Sequence, residues 1–266
     1  MNDGSWLHPA TRPILHRAGE RAVILLHGFT ASPQEMHVLA RALAGAGWTA
    51  YVPRLPGHGT CLADLMRTRW RDWAFAAEDA WHTLTRAGYR PLAAVGLSMG
   101  GALALHLASR LPLAATVAIA APYTLRHFAL HWLWRWLPWI QWPKTDWVPF
   151  PDDPSQWEEA HWTYSAYPFR GLAELSALLH DLHYRLPHIH IPTLLLYAQG
   201  DPVVPLQHQK AYAQRIAGPV ETEVLPTRRH VLTLGPTRHE VARRVLAFLN
   251  RVTRARTSAQ DQTHEP

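Results

Sequence analysis

Leu92-Ala93-Ala94-Val95-Gly96-Leu97-Ser98-Met99-Gly100-Gly101 runs from an apolar stretch, through Gly-x-Ser-x-Gly, into a segment of helical character. Residues 92–95 read as a strand and 99–109 as a helix. A serine between them sits on the tight strand-to-helix turn that a nucleophile elbow needs. Backbone segments crowd at such a turn, so small residues are required: Gly96 and Gly100 supply them, and Gly101 lets the helix approach the sheet. The same letters also spell a serine N-cap followed by packing glycines, so the weight rests on what surrounds the turn.

Upstream, apolar runs at 22–26 and 49–52 flank a segment, 33–46, in which Met36, Leu39, Ala40 and Leu43 recur at helical spacing. Pro33 suits the first turn of that helix, and Gly45 and Gly47 suit its end. Strands joined by helices favour parallel pairing. The alternation continues with a helix near 72–87 and a strand at 114–120. It resumes with a strand at 193–197, a helix at 206–216, a strand at 220–225 and a helix at 237–251. Val23-Ile24-Leu25-Leu26 and Thr193-Leu194-Leu195-Leu196 lack polar alternation, as strands covered on both faces do. The expected fold is α/β, a mostly parallel sheet with helices on both faces. Its domain is discontinuous, 1–121 and 188–256, with a cap insertion at 122–187 and a polar tail, 257–266, that frays.

A chain of 266 residues suits one such unit. With 48% hydrophobic and 17% charged residues it is unlike a disordered chain. The net charge of +6 could mark an acidic partner. Its arginines are scattered, however, and no nucleic-acid module accompanies them. Only Arg238, Arg243, Arg244, Arg251, Arg254 and Arg256 are concentrated, which reads as a solvated basic helix. The single cysteine, Cys61, forms no intramolecular disulfide. Residues 1–19 lack the basic start and apolar run of a signal peptide, and no stretch is long and apolar enough to span a bilayer. A cytoplasmic protein with no integral membrane segment and no nucleic-acid partner is expected.

A serine hydroxyl is a weak nucleophile unless a base, itself oriented by a third group, removes its proton. Gln199-Gly200-Asp201-Pro202-Val203-Val204-Pro205 follows an apolar strand, which puts Asp201 at the carboxyl edge of the sheet with Ser98. The other strand end, after 114–120, offers Ala121-Pro122-Tyr123 and no carboxylate. An aspartate here also fits a turn or an N-cap. The strand at 220–225 leads through Pro226-Thr227-Arg228-Arg229 to His230, on the same edge and in the order Ser, Asp, His. His208 and His239 fall within expected helices. Acyl transfer also needs donors aimed at the developing oxyanion. The amide of Met99 follows the serine, and His27-Gly28-Phe29 places the amide of Phe29 on a facing loop.

Five motifs occur in order: Leu25-Leu26-His27-Gly28-Phe29-Thr30, Pro53-Arg54-Leu55-Pro56-Gly57-His58-Gly59, Gly96-Leu97-Ser98-Met99-Gly100-Gly101, Asp201-Pro202-Val203-Val204-Pro205 and His230-Val231-Leu232-Thr233-Leu234. On these the chain resembles the bacterial carboxylesterases and monoacylglycerol lipases of the α/β-hydrolase superfamily, across nearly the whole catalytic unit. The resemblance implies the α/β-hydrolase fold and a triad of Ser98, Asp201 and His230. It also implies an oxyanion hole from the amides of Phe29 and Met99, a small-molecule ester substrate, and no metal or organic cofactor. His58 looks structural. One departure is Arg228-Arg229, where small residues usually precede the histidine in similar enzymes. Carbon–carbon bond hydrolysis, acyl transfer, perhydrolysis, aminopeptidase activity and a non-catalytic ligand receptor can share the same constellation.

Eight of the 13 tryptophans lie between Trp132 and Trp162, inside the expected cap. His127, His131 and Arg135 form a narrow stripe on an otherwise apolar helix expected at 125–142. Packing against the main domain explains such a surface. A sharper expectation is that Trp132, Trp136 and Trp139, with Phe29, contact the acyl chain; membrane-surface contact is a third reading.

Overall fold

A computed structural model describes residues 7–125, 139–145 and 147–262. Among them the strands are β1 (Ile14–His16), β2 (Arg21–Leu26), β3 (Trp48–Val52), β4 (Leu92–Leu97), β5 (Ala115–Ile119), β6 (Gln141–Pro143), β7 (Ala166–Pro168), β8 (Thr193–Ala198) and β9 (Val220–Leu225). The α-helices are α1 (His37–Gly45), α2 (Leu62–Arg67), α3 (Trp70–Arg86), α4 (Met99–Ala108), α5 (Phe169–Arg185), α6 (Gln207–Ala213) and α7 (Arg238–Gln262). The main sheet has the order β1-β3-β2-β4-β5-β8-β9. All its pairings are parallel except that of β1 with β3.

The unalternating strands are buried on both faces, as period-two geometry requires when each face has its own helical layer. Ile24, Leu26, Ala94, Leu195 and Tyr197 pack with α3, α4 and α5. Their neighbours Val23, Leu25, Val95, Val117, Leu194 and Leu196 pack with α1 and α7. Because β2, β4, β8 and β9 run the same way, the loops leaving their carboxyl ends share one edge. Those loops begin at His27, Ser98, Gln199 and Pro226.

Four features differ from the sequence expectation. β1 is a three-residue edge strand whose side chains alternate only between partial burial and exposure, too short a pattern to read. α5 lies inside the stretch expected to be a cap, yet Leu175, Leu178, Leu179 and Leu182 are buried in the core beneath the sheet. The part standing apart from that core is therefore shorter than 122–187. The last helix continues to Gln262 where a frayed tail was expected; Arg254-Ala255-Arg256 and Ala259-Gln260-Asp261-Gln262 contain no helix breaker. Residues 141–143 are strand, paired with β7, not the end of a helix. Residues 126–138 of that expected helix, with His127, His131, Trp132, Arg135 and Trp136, lie outside the described residues.

The basic residues of α7 are largely paired. Arg243 and Arg244 meet Glu240, Arg244 also meets Glu223 of β9 at 2.5 Å, and Arg251 meets Glu221. Arg238 reaches Glu159 at 2.6 Å.

Candidate active site

Ser98 leaves β4 with φ 54° and ψ −118°, a conformation costing a non-glycine residue on the order of 1–3 kcal/mol. Its neighbours make the turn attainable. A β-carbon on Gly96 would meet the Gly100 carbonyl oxygen at 1.9 Å, and one on Gly101 would meet Cβ of Ala121 at 2.9 Å. The Ser98 amide donates to the Ile119 carbonyl at 2.8 Å, which ties the turn to β5. The Ser98 hydroxyl makes no capping bond to α4.

Instead, Ser98 Oγ lies 3.0 Å from His230 Nε2, and His230 Nδ1 lies 2.7 Å from Asp201 Oδ2. A carboxylate accepts only, so Nδ1 carries the proton and the Nε2 lone pair faces the hydroxyl. The second carboxylate oxygen accepts the amides of Val203 at 2.8 Å and Val204 at 3.0 Å. These bonds fix the Asp201 rotamer in a fully buried side chain. The loops after β8 and β9 are themselves tied, with the Gly200 amide donating to the Thr227 carbonyl at 3.0 Å. Arg228 and Arg229 are exposed; the guanidinium of Arg229 lies against Gly235, and the stem of Arg228 against Gly200. Solvent screens charges so placed.

The facing loop begins at His27. Its Nδ1–H donates to the Gly28 carbonyl at 3.0 Å, and its Nε2 accepts the Leu55 amide at 3.2 Å. Burial lowers the His27 pKa to about 4, so the ring is neutral. Gly28 abuts the elbow: a β-carbon there would lie 3.6 Å from Ser98 Cβ. The Phe29 ring stacks on Tyr167 at 6.3 Å and meets Trp73 and His58 edge-on at 5.9 and 6.1 Å. Neither the Phe29 nor the Met99 amide is drawn into a hydrogen bond with another described residue. Trp139 is 69% exposed, while Trp132 and Trp136 lie outside the described residues.

Sequence reasoning did not single out Glu35, Thr30, Lys144 or His161, all of which bear on this loop. Ser32 and Glu35 have the spacing of a capping box, but Ser32 makes no capping bond. Glu35 Oε2 instead accepts the Gly28 amide at 2.6 Å, and its Oε1 accepts from His161 Nε2 at 2.9 Å. The Thr30 carbonyl accepts the Tyr164 amide at 3.0 Å, and Lys144 Nζ donates to the Thr30 and Thr163 hydroxyls at 2.7 and 2.5 Å. Among the described residues no group of three or more His, Cys, Asp or Glu converges as metal ligands would. No helix among them is long and apolar enough to cross a membrane.

Residues 18–236 match the family described as serine aminopeptidase, S33. The chain is 28% identical over 246 residues to a carboxylesterase of Bacillus subtilis strain 168, covering 91% of this chain and 97% of that protein. It is 31% identical over 244 residues to a thermostable monoacylglycerol lipase of Bacillus sp. strain H-257, covering 89% and 93%. A solved structure from work on LipS and LipT, two metagenome-derived lipolytic enzymes, superposes with a TM-score of 0.81 at 26% identity, covering 92% of this chain and 99% of the other.

Proposed function

The chain belongs to the serine aminopeptidase S33 family, of α/β-hydrolase fold, and from that premise we propose that it hydrolyses simple carboxylic esters or monoacylglycerols through an acyl-enzyme on Ser98. The observation that carries the reading is the relay of 3.0 Å from Ser98 to His230 and 2.7 Å from His230 to Asp201. Two relatives named carboxylesterase and monoacylglycerol lipase, similar over most of both chains, favour esters as substrate.

Ser98 Oγ attacks the acyl carbonyl as His230 Nε2 takes the hydroxyl proton, and Asp201 stabilises the imidazolium so formed. The carbonyl oxygen, now an alkoxide, accepts from the amides of Phe29 and Met99; each such donor is worth roughly 2.7–4 kcal/mol in other enzymes. Collapse expels the alcohol, which leaves with the proton held by His230. Water then attacks the acyl-enzyme, giving its proton to His230, and the carboxylic acid departs as Ser98 is reprotonated. No step needs a metal or an organic cofactor. Phe29, Trp132, Trp136 and Trp139 are the residues we assign to the acyl chain, and the cytoplasm is the compartment we assign.

The family's description keeps amide cleavage as a second reading. A fluorophosphonate probe and a panel of p-nitrophenyl esters, monoacylglycerols, thioesters and aminoacyl amides separate the two. The expected result is labelling at Ser98 with esters turned over fastest. Faster cleavage of amides would move the assignment to peptidase, and no label with no turnover would leave a non-catalytic receptor.

A further inference from the structure

Gly28 joins the end of β2 to the Phe29 amide, and having no Cβ it has the widest choice of φ and ψ of any residue. Each peptide unit is planar, so the two torsions at Gly28 alone set the direction of the Phe29 amide relative to the unit before it. Glu35 fixes the unit before it by accepting the Gly28 amide at 2.6 Å. The unit that carries the Phe29 amide is held through the Gly28 carbonyl, which accepts from His27 Nδ1 at 3.0 Å and from the Ala31 amide at 3.3 Å, so with both units held that freedom is lost. Glu35 is 2% exposed, and burying a charge costs several kcal/mol unless donors satisfy it. Burial raises the Glu35 pKa, but the hydrogen bond and charge of His161, with the Gly28 amide, outweigh it and hold the group below its ordinary value. Glu35 is thus an anion held between this loop and the inserted segment.

The segment grips the loop at two flanking points as well. Gln34 Nε2 donates to the carbonyls of Trp157 at 2.7 Å and Ala160 at 2.6 Å, and its Oε1 accepts the Trp162 amide at 3.2 Å. Thr30, at φ 64°, is held by Thr163, Tyr164 and Lys144. A strap needed only to cover the core would not have to set an imidazole against the buried carboxylate that holds the amide preceding Phe29.

We propose that Glu35, locked by His161 of the inserted segment, is a positioning residue that presets the oxyanion-hole loop by fixing the Gly28 peptide and so aiming the Phe29 amide at the Ser98 site. The inference rests on the ester-hydrolase reading for its kinetic consequence, though not for its structural one. It makes the inserted segment part of the catalytic apparatus, acting through the loop and not through contact with substrate.

The test compares Glu35→Leu with Glu35→Gln, and His161→Leu with His161→Gln, since each glutamine retains a hydrogen-bonding partner that the leucine lacks. For Glu35→Leu, kcat on p-nitrophenyl butyrate is expected to fall roughly 10- to 100-fold with KM changed less than about threefold, because the loss is confined to the transition state. Affinity for a boronic acid, which forms a tetrahedral adduct on serine, should fall in parallel. Glu35→Gln should recover most of the loss. His161→Leu, at a partly exposed side chain, should show a smaller drop of the same kind that His161→Gln repairs. Amide hydrogen exchange of the peptide spanning Gly28 to Thr30 gives a readout without turnover, expected to quicken in the leucine variants and not in the glutamine ones. Unchanged kcat and exchange in both leucine variants would overturn the proposal, as would glutamine variants impaired as badly as the leucines. If Glu35→Leu does not fold, the His161 pair and Glu35→Gln decide. If the unmodified protein turns over no ester, the ester reading falls, and the exchange comparison still decides the positioning role.

Discussion

Gly100 and Leu26 approach so closely that a β-carbon on the glycine would sit 2.0 Å from the leucine's carbonyl oxygen. The contact is between the first turn of α4 and the end of β2, backbone against backbone, and neither can yield without moving the elbow off the loop that carries Phe29. Gly100→Ala should therefore lose at least about 3 kcal/mol, the upper end of ordinary overpacking, in urea unfolding. Gly101→Ala, which presses on a methyl group at 2.9 Å, should lose less. A Gly100→Ala midpoint equal to that of the parent protein would refute the packing argument.

Asp201 accepts from His230 with one oxygen and from the Val203 and Val204 amides with the other. In Asp201→Asn the oxygen stays on those two amides, so the new NH₂ faces His230 and forces the proton onto Nε2, where it blocks uptake from Ser98. The expected loss in kcat is ~10⁴-fold with the fold intact. Ser98→Ala and His230→Ala should each abolish ester turnover to a similar residual level, and the double variant should be no worse than either, since the groups act as a unit. Steady-state kinetics on one ester checks all four, and additive losses would argue that His230 does not serve Ser98.

The parallel sheet was legible in the runs 22–26, 92–95 and 193–197 because burial on both faces leaves no polar residue to interrupt them. Ser98 and Asp201 could be singled out because each follows such a run, and His230 because it follows the strand at 220–225 in the chain order Ser, Asp, His; parallel strands carry all three ends to one edge. Glu35 could not be singled out. Its partners are an amide seven residues back and an imidazole 126 residues away, and its spacing from Ser32 is equally that of a helix cap. α5 was readable from Leu175, Leu178, Leu179 and Leu182, spaced on one helical face, but the tryptophan-rich stretch before it drew the whole segment into a cap. Contacts made by backbone groups leave little trace in residue type.

Three buried histidines predict an acid-sensitive fold. Burial lowers His27 and His106 to about 4 and His58 well below its ordinary value of 6.5; the Arg185 charge adds to the effect at His106, against Asp181. Above pH 6.5 these rings are neutral in both folded and unfolded chains and contribute nothing to the pH dependence. Below it the unfolded chain takes up protons that the native state refuses, so stability is lost as pH falls from 6.5 toward 4. Each histidine adds a slope of up to about 1.4 kcal/mol per pH unit. Urea unfolding at pH 7.5, 6 and 5 should show the decline. His106→Gln should flatten it by up to one histidine's share, while curves of equal slope for parent and variant would show that His106 takes no part.

Phe29 offers the site two different things, an amide and a ring, and substitution removes only the second. The ring stacks on Tyr167, meets Trp73 and His58 edge-on, and lies against Gly171, where a β-carbon would come within 2.7 Å of it. If it lines the acyl site, Phe29→Ala should leave kcat on a two-carbon acyl ester within a few-fold of the parent. It should lower kcat/KM on a twelve-carbon ester about 5- to 30-fold, the equivalent of about 1–2 kcal/mol of lost apolar contact. Trp139, 69% exposed, should give a smaller change in the same direction when replaced by alanine, and replacing Trp132 and Trp136 singly completes the series. A fall in kcat of equal size at every chain length would mean that the Phe29 ring braces its own amide and does not touch the acyl chain. Unaltered selectivity in all three tryptophan variants would remove the inserted segment from the acyl wall and leave it only its hold on the loop.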